Sequence, residues 1–155
     1  MTTTNHTNGL QNINVEAVSP LPSPRDIRDE IPMSPDAHDT VAEGRKDIIE
    51  IIDRRDPRLL VVVGPCSIHD LDAGLAYADR LAALKNEVDE KLLLVMRIYF
   101  EKPRTTVGWK GFINDPHLND SFELEDGVRE ARRFLIRIAE LGIPAATEAL
   151  DPIIP

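Results

Sequence analysis

The chemistry in this chain is concentrated in two short stretches. In one, Arg97, Lys102, Arg104 and Lys110 gather positive charge in a chain whose net charge is −9. Arginine presents a planar fork of donors that grips a carboxylate or phosphate through two parallel hydrogen bonds, and lysine adds a compact cation. Thr105 and Thr106 contribute hydroxyl donors beside Arg104, and Pro103 stiffens the loop between the cations. That combination suits an anion-binding loop. The plainer alternative is a solvated basic loop whose charges pair with Glu101 and Asp115. The other stretch is Gly64-Pro65-Cys66-Ser67-Ile68-His69-Asp70. Cys66 offers a soft sulfur suited to a transition metal, with His69 three residues on. A cysteine in such a place also serves as a small apolar side chain, and His69 serves equally well as a helix cap. Glu148 and Asp151 add two carboxylates near the end of the chain, and the pattern alone gives them no role.

The surrounding elements explain why these stretches matter. Leu59-Leu60-Val61-Val62-Val63 is a continuous apolar run ended by Gly64-Pro65. It reads as a strand buried on both faces, as in a parallel sheet. A helix from Asp70 or Leu71 to about Val88 follows, then a second buried strand from Lys91 to Ile98. Val128, Ala131, Phe134, Leu135, Ile138 and Leu141 repeat at helical spacing, and Gly142 closes that helix. Residues 144–149 read as a third strand. Upstream, a helix capped by Asp39 or Thr40 runs to about Asp53, and the prolines from Pro20 to Pro24 are incompatible with helix. Alternating strands and helices predict an α/β fold with a parallel sheet and right-handed crossovers. In such folds ligands bind at the C-terminal ends of strands, where both chemical stretches lie. A doubly wound sheet and a (β/α)8 barrel begin alike, and the pattern leaves both open. Neither strand end carries a glycine-rich nucleotide-binding fingerprint. The long polar segment from Glu101 to Ser121 is of the length that usually serves function, and its single tryptophan, Trp109, is placed to pack it down.

Composition narrows the function class. With 155 residues, 42% hydrophobic and 29% charged, this is a soluble globular composition. An acidic chain argues against nonspecific binding to nucleic acid or anionic membranes. No apolar run approaches a membrane span. The start of the chain lacks a secretory pattern, and the one cysteine forms no internal disulfide, so a cytoplasmic location is expected.

The motifs Gly64 to Asp70, Met96 to Gly111 and Ile113-Asn114-Asp115-Pro116 closely resemble the type I 3-deoxy-D-arabino-heptulosonate 7-phosphate (DAHP) synthases, in the subgroup regulated by aromatic amino acids. The resemblance runs from about Asp26 to Pro155. It implies a metal-dependent (β/α)8 barrel that condenses phosphoenolpyruvate with erythrose 4-phosphate and releases phosphate, the first step of the shikimate pathway. It implies that Cys66 is a metal ligand for a divalent ion of the Mn, Fe, Co or Zn class. Arg97 and Lys102 would bind phosphoenolpyruvate and carry the catalytic charge, while Arg104 and Thr105 would hold the phosphate of erythrose 4-phosphate. Asp151 and Pro155 resemble positions near the pocket for an aromatic amino acid acting as feedback inhibitor, in an enzyme that is a homo-oligomer, dimer or tetramer.

On this reading residues 1–25 form a mobile tail, 26–57 an extension helix that serves as a dimer or regulatory arm, and 58–155 the first three strands of the barrel. The family's remaining metal ligands and substrate-binding residues belong to later strands, so this chain reads as the N-terminal portion of the enzyme, inactive alone. Two competing expectations stand beside it. One is a non-catalytic regulatory fragment that binds a complete synthase subunit. The other is an unrelated flavodoxin-like phosphate-binding domain with no need of metal.

Overall fold

The computed structural model describes residues 20–102 and 107–149. Residues 1–19, 103–106 with Arg104 and Thr105, and 150–155 with Asp151 and Pro155 lie outside them.

The described residues open with two helices, α1 (Pro24–Glu30) and α2 (Pro35–Ile52). Residues 20–23 are non-helical as expected, and Pro24, at the end of that stretch, departs from the expectation by starting a helix. Pro24 occupies the first turn of α1, where a missing N–H costs nothing because no acceptor precedes it. Ser23 caps that helix and Asp26 answers with a bond to the Ser23 backbone N–H. Likewise α2 starts at Pro35 under a cap from Ser34, ahead of the expected Asp39 or Thr40.

Strand β1 (Leu59–Val63) leads into α3 (Leu71–Val88), then β2 (Leu92–Arg97), α4 (Leu124–Glu140) and the short β3 (Ala145–Ala146). All three strands are parallel in the order β1-β2-β3, with Leu59 opposite Leu92 and Met96 opposite Ala145. The α/β expectation therefore holds, with β2 at the centre. β1 departs from its reading as a strand buried on both faces. Leu59 and Val62 are 64% and 50% exposed, whereas Val95, opposite Val62 in the central strand, is 1% exposed. Among the described residues β1 has a paired strand on one side only, so its side chains are covered less completely. β3 is shorter than expected because only Ala145 and Ala146 pair with β2.

Val61, Val63, Leu94, Met96 and Ile98 face α3 and α4 across a core that includes Ile68, Leu81, Phe134, Ile138 and Ile143. Phe100 lies 5.9 Å from Phe134 in an edge-to-face pair and 6.0 Å from Phe112, the arrangement that the aromatic quadrupole favours. Gly142, at φ +74°, ends α4 in the left-handed conformation that suits glycine. Lys85 donates to its carbonyl at 2.6 Å.

Helix α2 lies beside the N-terminal ends of the strands. Asp47 pairs with Arg58, just before β1, at 2.7 Å, and Gly44 fits so closely against Pro144, just before β3, that a Cβ would come within 2.8 Å of its ring. α1 is tied to α4 through Arg129 and Glu30 at 2.9 Å and through Arg132, which donates to the Ile31 carbonyl at 2.7 Å. The α2 contacts sit at the end opposite the one where β1 and β2 deliver Cys66 and Arg97, whereas α1 lines a groove with Tyr99 and Phe100, just past β2.

Candidate active site at the ends of β1 and β2

The site is built by bringing two strand ends unusually close. Gly64 follows β1 directly, and a Cβ there would overlap the Arg97 carbonyl oxygen. With glycine in place, the β1 loop lies against the end of β2, and the Ile68 N–H donates to the Tyr99 carbonyl at 2.7 Å. That bond fixes one loop to the other by backbone alone.

Arg97 is half-buried, and its guanidinium is positioned from two sides. It donates to the Pro65 carbonyl at 3.1 Å, and its central carbon lies 3.8 Å from the centre of the Tyr99 ring. A guanidinium over an aromatic face gains electrostatic attraction and loses rotamer freedom before any ligand arrives. Lys102 extends from the second loop to donate to the Cys66 sulfur at 3.3 Å. The structure thus assembles Cys66, Arg97 and Lys102 at one place, from two loops that the sequence presents separately.

The remainder of the basic loop is held at its base. The Lys102 N–H donates to the Lys110 carbonyl at 2.9 Å, and Glu101 forms an antiparallel bridge with Gly111. Gly111 has φ +112°, and a Cβ there would strike the Phe100 carbonyl, so the return of the chain requires glycine. Trp109 packs the segment down as expected, donating from Nε1 to the Asp115 carbonyl at 2.9 Å. Among the described residues Asp115 is seen in another role. It is 2% exposed, and its carboxylate accepts from the N–H groups of Asn119 and Asp120. It therefore organises a turn.

His69 is exposed, and the cap of α3 is Asp70, which accepts from the Ala73 N–H at 2.9 Å. Sequence reasoning did not single out Gly64, the Pro65 carbonyl or Tyr99. For Tyr99 a signal existed: Arg97 and Tyr99 are two residues apart at a strand end, so they fall on one face.

As one metal donor, Cys66 fits. It is exposed, its sulfur is soft, and it lies at the mouth of the site. Among the described residues, the one group of three candidate ligands within 4.8 Å of one another is His117, Glu123 and Asp126; Cys66 is not part of it. That group is exposed, and His117 approaches Glu123 at 3.3 Å as an ordinary surface pair.

A model of the DAHP synthetase I family matches residues 30–155. The chain belongs to this family. It is 52% identical over 143 residues to the Tyr-sensitive phospho-2-dehydro-3-deoxyheptonate aldolase of Escherichia coli (strain K12), covering 92% of this chain and 40% of that protein. The Phe-sensitive aldolase of the same strain is 50% identical over 143 residues, covering 92% of this chain and 41% of that protein. Among solved structures, a phospho-2-dehydro-3-deoxyheptonate aldolase from Francisella tularensis SCHU S4 superposes with a TM-score of 0.86 at 44% identity, covering 92% of this chain and 42% of that one. The chain thus spans about two fifths of the length of these family members.

Proposed function

We propose that the protein is a DAHP synthase that condenses phosphoenolpyruvate with erythrose 4-phosphate and releases phosphate, as the first step of the shikimate pathway. The observation that carries this reading is the meeting of Cys66, Arg97 and Lys102 at the C-terminal ends of two paired parallel strands in a chain of this family.

On this reading the chain supplies the first three strands of a (β/α)8 barrel. An apolar groove of about 850 Å³ supports it. The groove runs beside β3 between the N-terminal helices and α4, and is lined by Ile27, Val41, Ile48, Leu135, Ile136 and Ala145. A further strand and helix of a barrel would pack in such a groove.

Both substrates are anions, and they repel each other unless cations stand between them. Arg97 would receive the carboxylate or phosphate of phosphoenolpyruvate with its donors already aimed by Tyr99 and Pro65. Lys102 would add a second fixed cation beside it. Such preorganised charge stabilises the negative oxygens as they develop, without reorganisation during the reaction. The enol carbon of phosphoenolpyruvate forms the new bond to the aldehyde carbon. The adjacent carbon takes up water, and its bond to the phosphate oxygen breaks. Arg104 and Thr105 are assigned to the phosphate of erythrose 4-phosphate.

Cys66 would hold the divalent ion together with ligands from outside the described residues, and the ion when bound would polarise the aldehyde oxygen. The regulatory part of the reading assigns residues 26–57 to an arm in a homo-oligomer, and Asp151 and Pro155 to the surroundings of an aromatic amino acid inhibitor. Tyr-sensitive, Phe-sensitive and Trp-sensitive relatives match at 52%, 50% and 48% identity, so all three aromatic amino acids are candidates for the inhibitor.

A chimera tests the reading. Residues 30–155 replace the matching segment of the E. coli Tyr-sensitive relative, and phosphate release is followed with both substrates and Mn²⁺. Turnover that requires both substrates and is lost in Arg97→Ala and Lys102→Ala is expected. A folded chimera that releases no phosphate would overturn it.

A further inference from the structure

We propose that Cys66 and Lys102 form a covalent sulfur–nitrogen link under oxidation, making this pair a reversible modification site independent of the catalytic reading. Cys66 is the only cysteine of the chain and is exposed. What stands beside it is a primary amine, with Lys102 Nζ 3.3 Å from Sγ.

The pair is not a chance meeting of two loose side chains. The Ile68 to Tyr99 backbone bond joins the loop bearing Cys66 to the one bearing Lys102. The absence of a Cβ at Gly64 lets β1 end against Arg97. The bond from the Lys102 N–H to Lys110 then fixes the stem of the lysine. The flexible four-carbon chain of lysine can close the remaining distance without moving the backbone.

The chemistry balances with a hydroperoxide as the oxidant. The sulfur of Cys66 attacks one peroxide oxygen. An S–O bond forms, the O–O bond breaks and water leaves, giving a sulfenic acid. The Lys102 nitrogen then attacks the sulfur. An S–N bond forms, the S–O bond breaks, and the hydroxyl leaves as a second water with a proton from nitrogen. Sulfur is oxidised by two electrons and the peroxide is reduced by two. Sulfenic acids condense with nitrogen nucleophiles in this way to give sulfenamides, and a small thiol reverses the link. While it lasts, both the thiol and the amine are withdrawn from the site.

The test uses the 155-residue chain with hydrogen peroxide and intact-mass analysis. The expected main product is lighter than the parent by two hydrogens. Tryptic digestion should join the peptide from Leu59 to Arg80 to the peptide from Ile98 to Arg104, and dithiothreitol should release them. Lys102→Arg keeps the positive charge but lacks a primary amine, and should go on to the sulfinic acid under the same treatment. Several results would overturn the proposal: a wild-type chain that reaches sulfinic acid with Lys102 unmodified, a Cys66–Cys66 disulfide dimer as main product, or equal linkage in concentrated urea.

Discussion

Gly64→Ala tests whether close approach of β1 to β2 builds the site. The new Cβ would overlap the Arg97 carbonyl oxygen, and this neighbour is backbone in the central strand, so it cannot swing aside. The end of β1 must move instead. Forcing an extra methyl into a well-packed position costs about 1–3 kcal/mol. The same movement draws the Pro65 carbonyl away from the Arg97 guanidinium, now 3.1 Å distant; losing that bond adds about 1 kcal/mol. The sum is a loss of about 2–4 kcal/mol, a large share of the stability of a small domain. Gly142→Ala is the comparison. At φ +74° it meets strain, but the nearest atom to its Cβ is the flexible Lys85 Nζ at 3.7 Å, so its cost is about 1 kcal/mol. Urea unfolding followed by circular dichroism measures both. With a denaturant slope of about 1–3 kcal/mol per molar, Gly64→Ala should lower the midpoint by about 1–2 M, or fail to fold, and Gly142→Ala by less. A Gly64→Ala chain within about 0.5 kcal/mol of the parent, or one more stable than Gly142→Ala, would refute the reasoning.

Removing the α2 cap with Ser34→Ala deprives the Ala37 N–H of its acceptor and should cost about 1 kcal/mol, read as a lowered melting temperature; no change would show that the cap is redundant. Acid should weaken the fold. Hydrogen bonds from Ser23 hold the Asp26 carboxyl below its usual range, Arg55 does the same for Glu50, and Arg58 for Asp56. Each group therefore adds stability that is fully present above its unfolded value near 4 and is lost as pH falls through its lower folded value. Chemical denaturation from pH 6 down to pH 2 should show the decline beginning near pH 4 (about the unfolded carboxylate value), and a flat profile would count against these pairings. Supplied with both substrates and Mn²⁺, the purified chain should release no phosphate, because among the described residues Cys66 belongs to no group of three ligands, and a catalytic metal centre needs about three from protein. Turnover matching a complete synthase would reverse that expectation.

Much of this architecture was legible locally. The apolar runs at Leu59 to Val63 and Leu92 to Met96, separated by a segment of helical period, fixed a parallel α/β arrangement, because strands buried by crossover helices must be apolar along their length. The same runs showed that Cys66 and Arg97 emerge at strand ends, where an α/β fold places chemistry. The start of α2 was misread because proline both forbids helix interiors and favours helix starts, and the caps of Ser23 and Ser34 decide between the two.

What the sequence could not decide is what meets across distance. Lys102 and Cys66 are 36 residues apart, and Arg97 and the Pro65 carbonyl are 32 apart. Their contacts depend on the register of β1 with β2 and on a glycine thin enough to let the strand ends touch. The exposure of Leu59 and Val62 was equally invisible, since an apolar run reads the same in a central strand and at an edge. Residue types and spacing determined which groups could act and at which end of the sheet. Only the tertiary structure placed the thiol, the amine and the guanidinium within reach of one another, because hydrogen bonds between neighbouring strands, absent from any local pattern, set those distances.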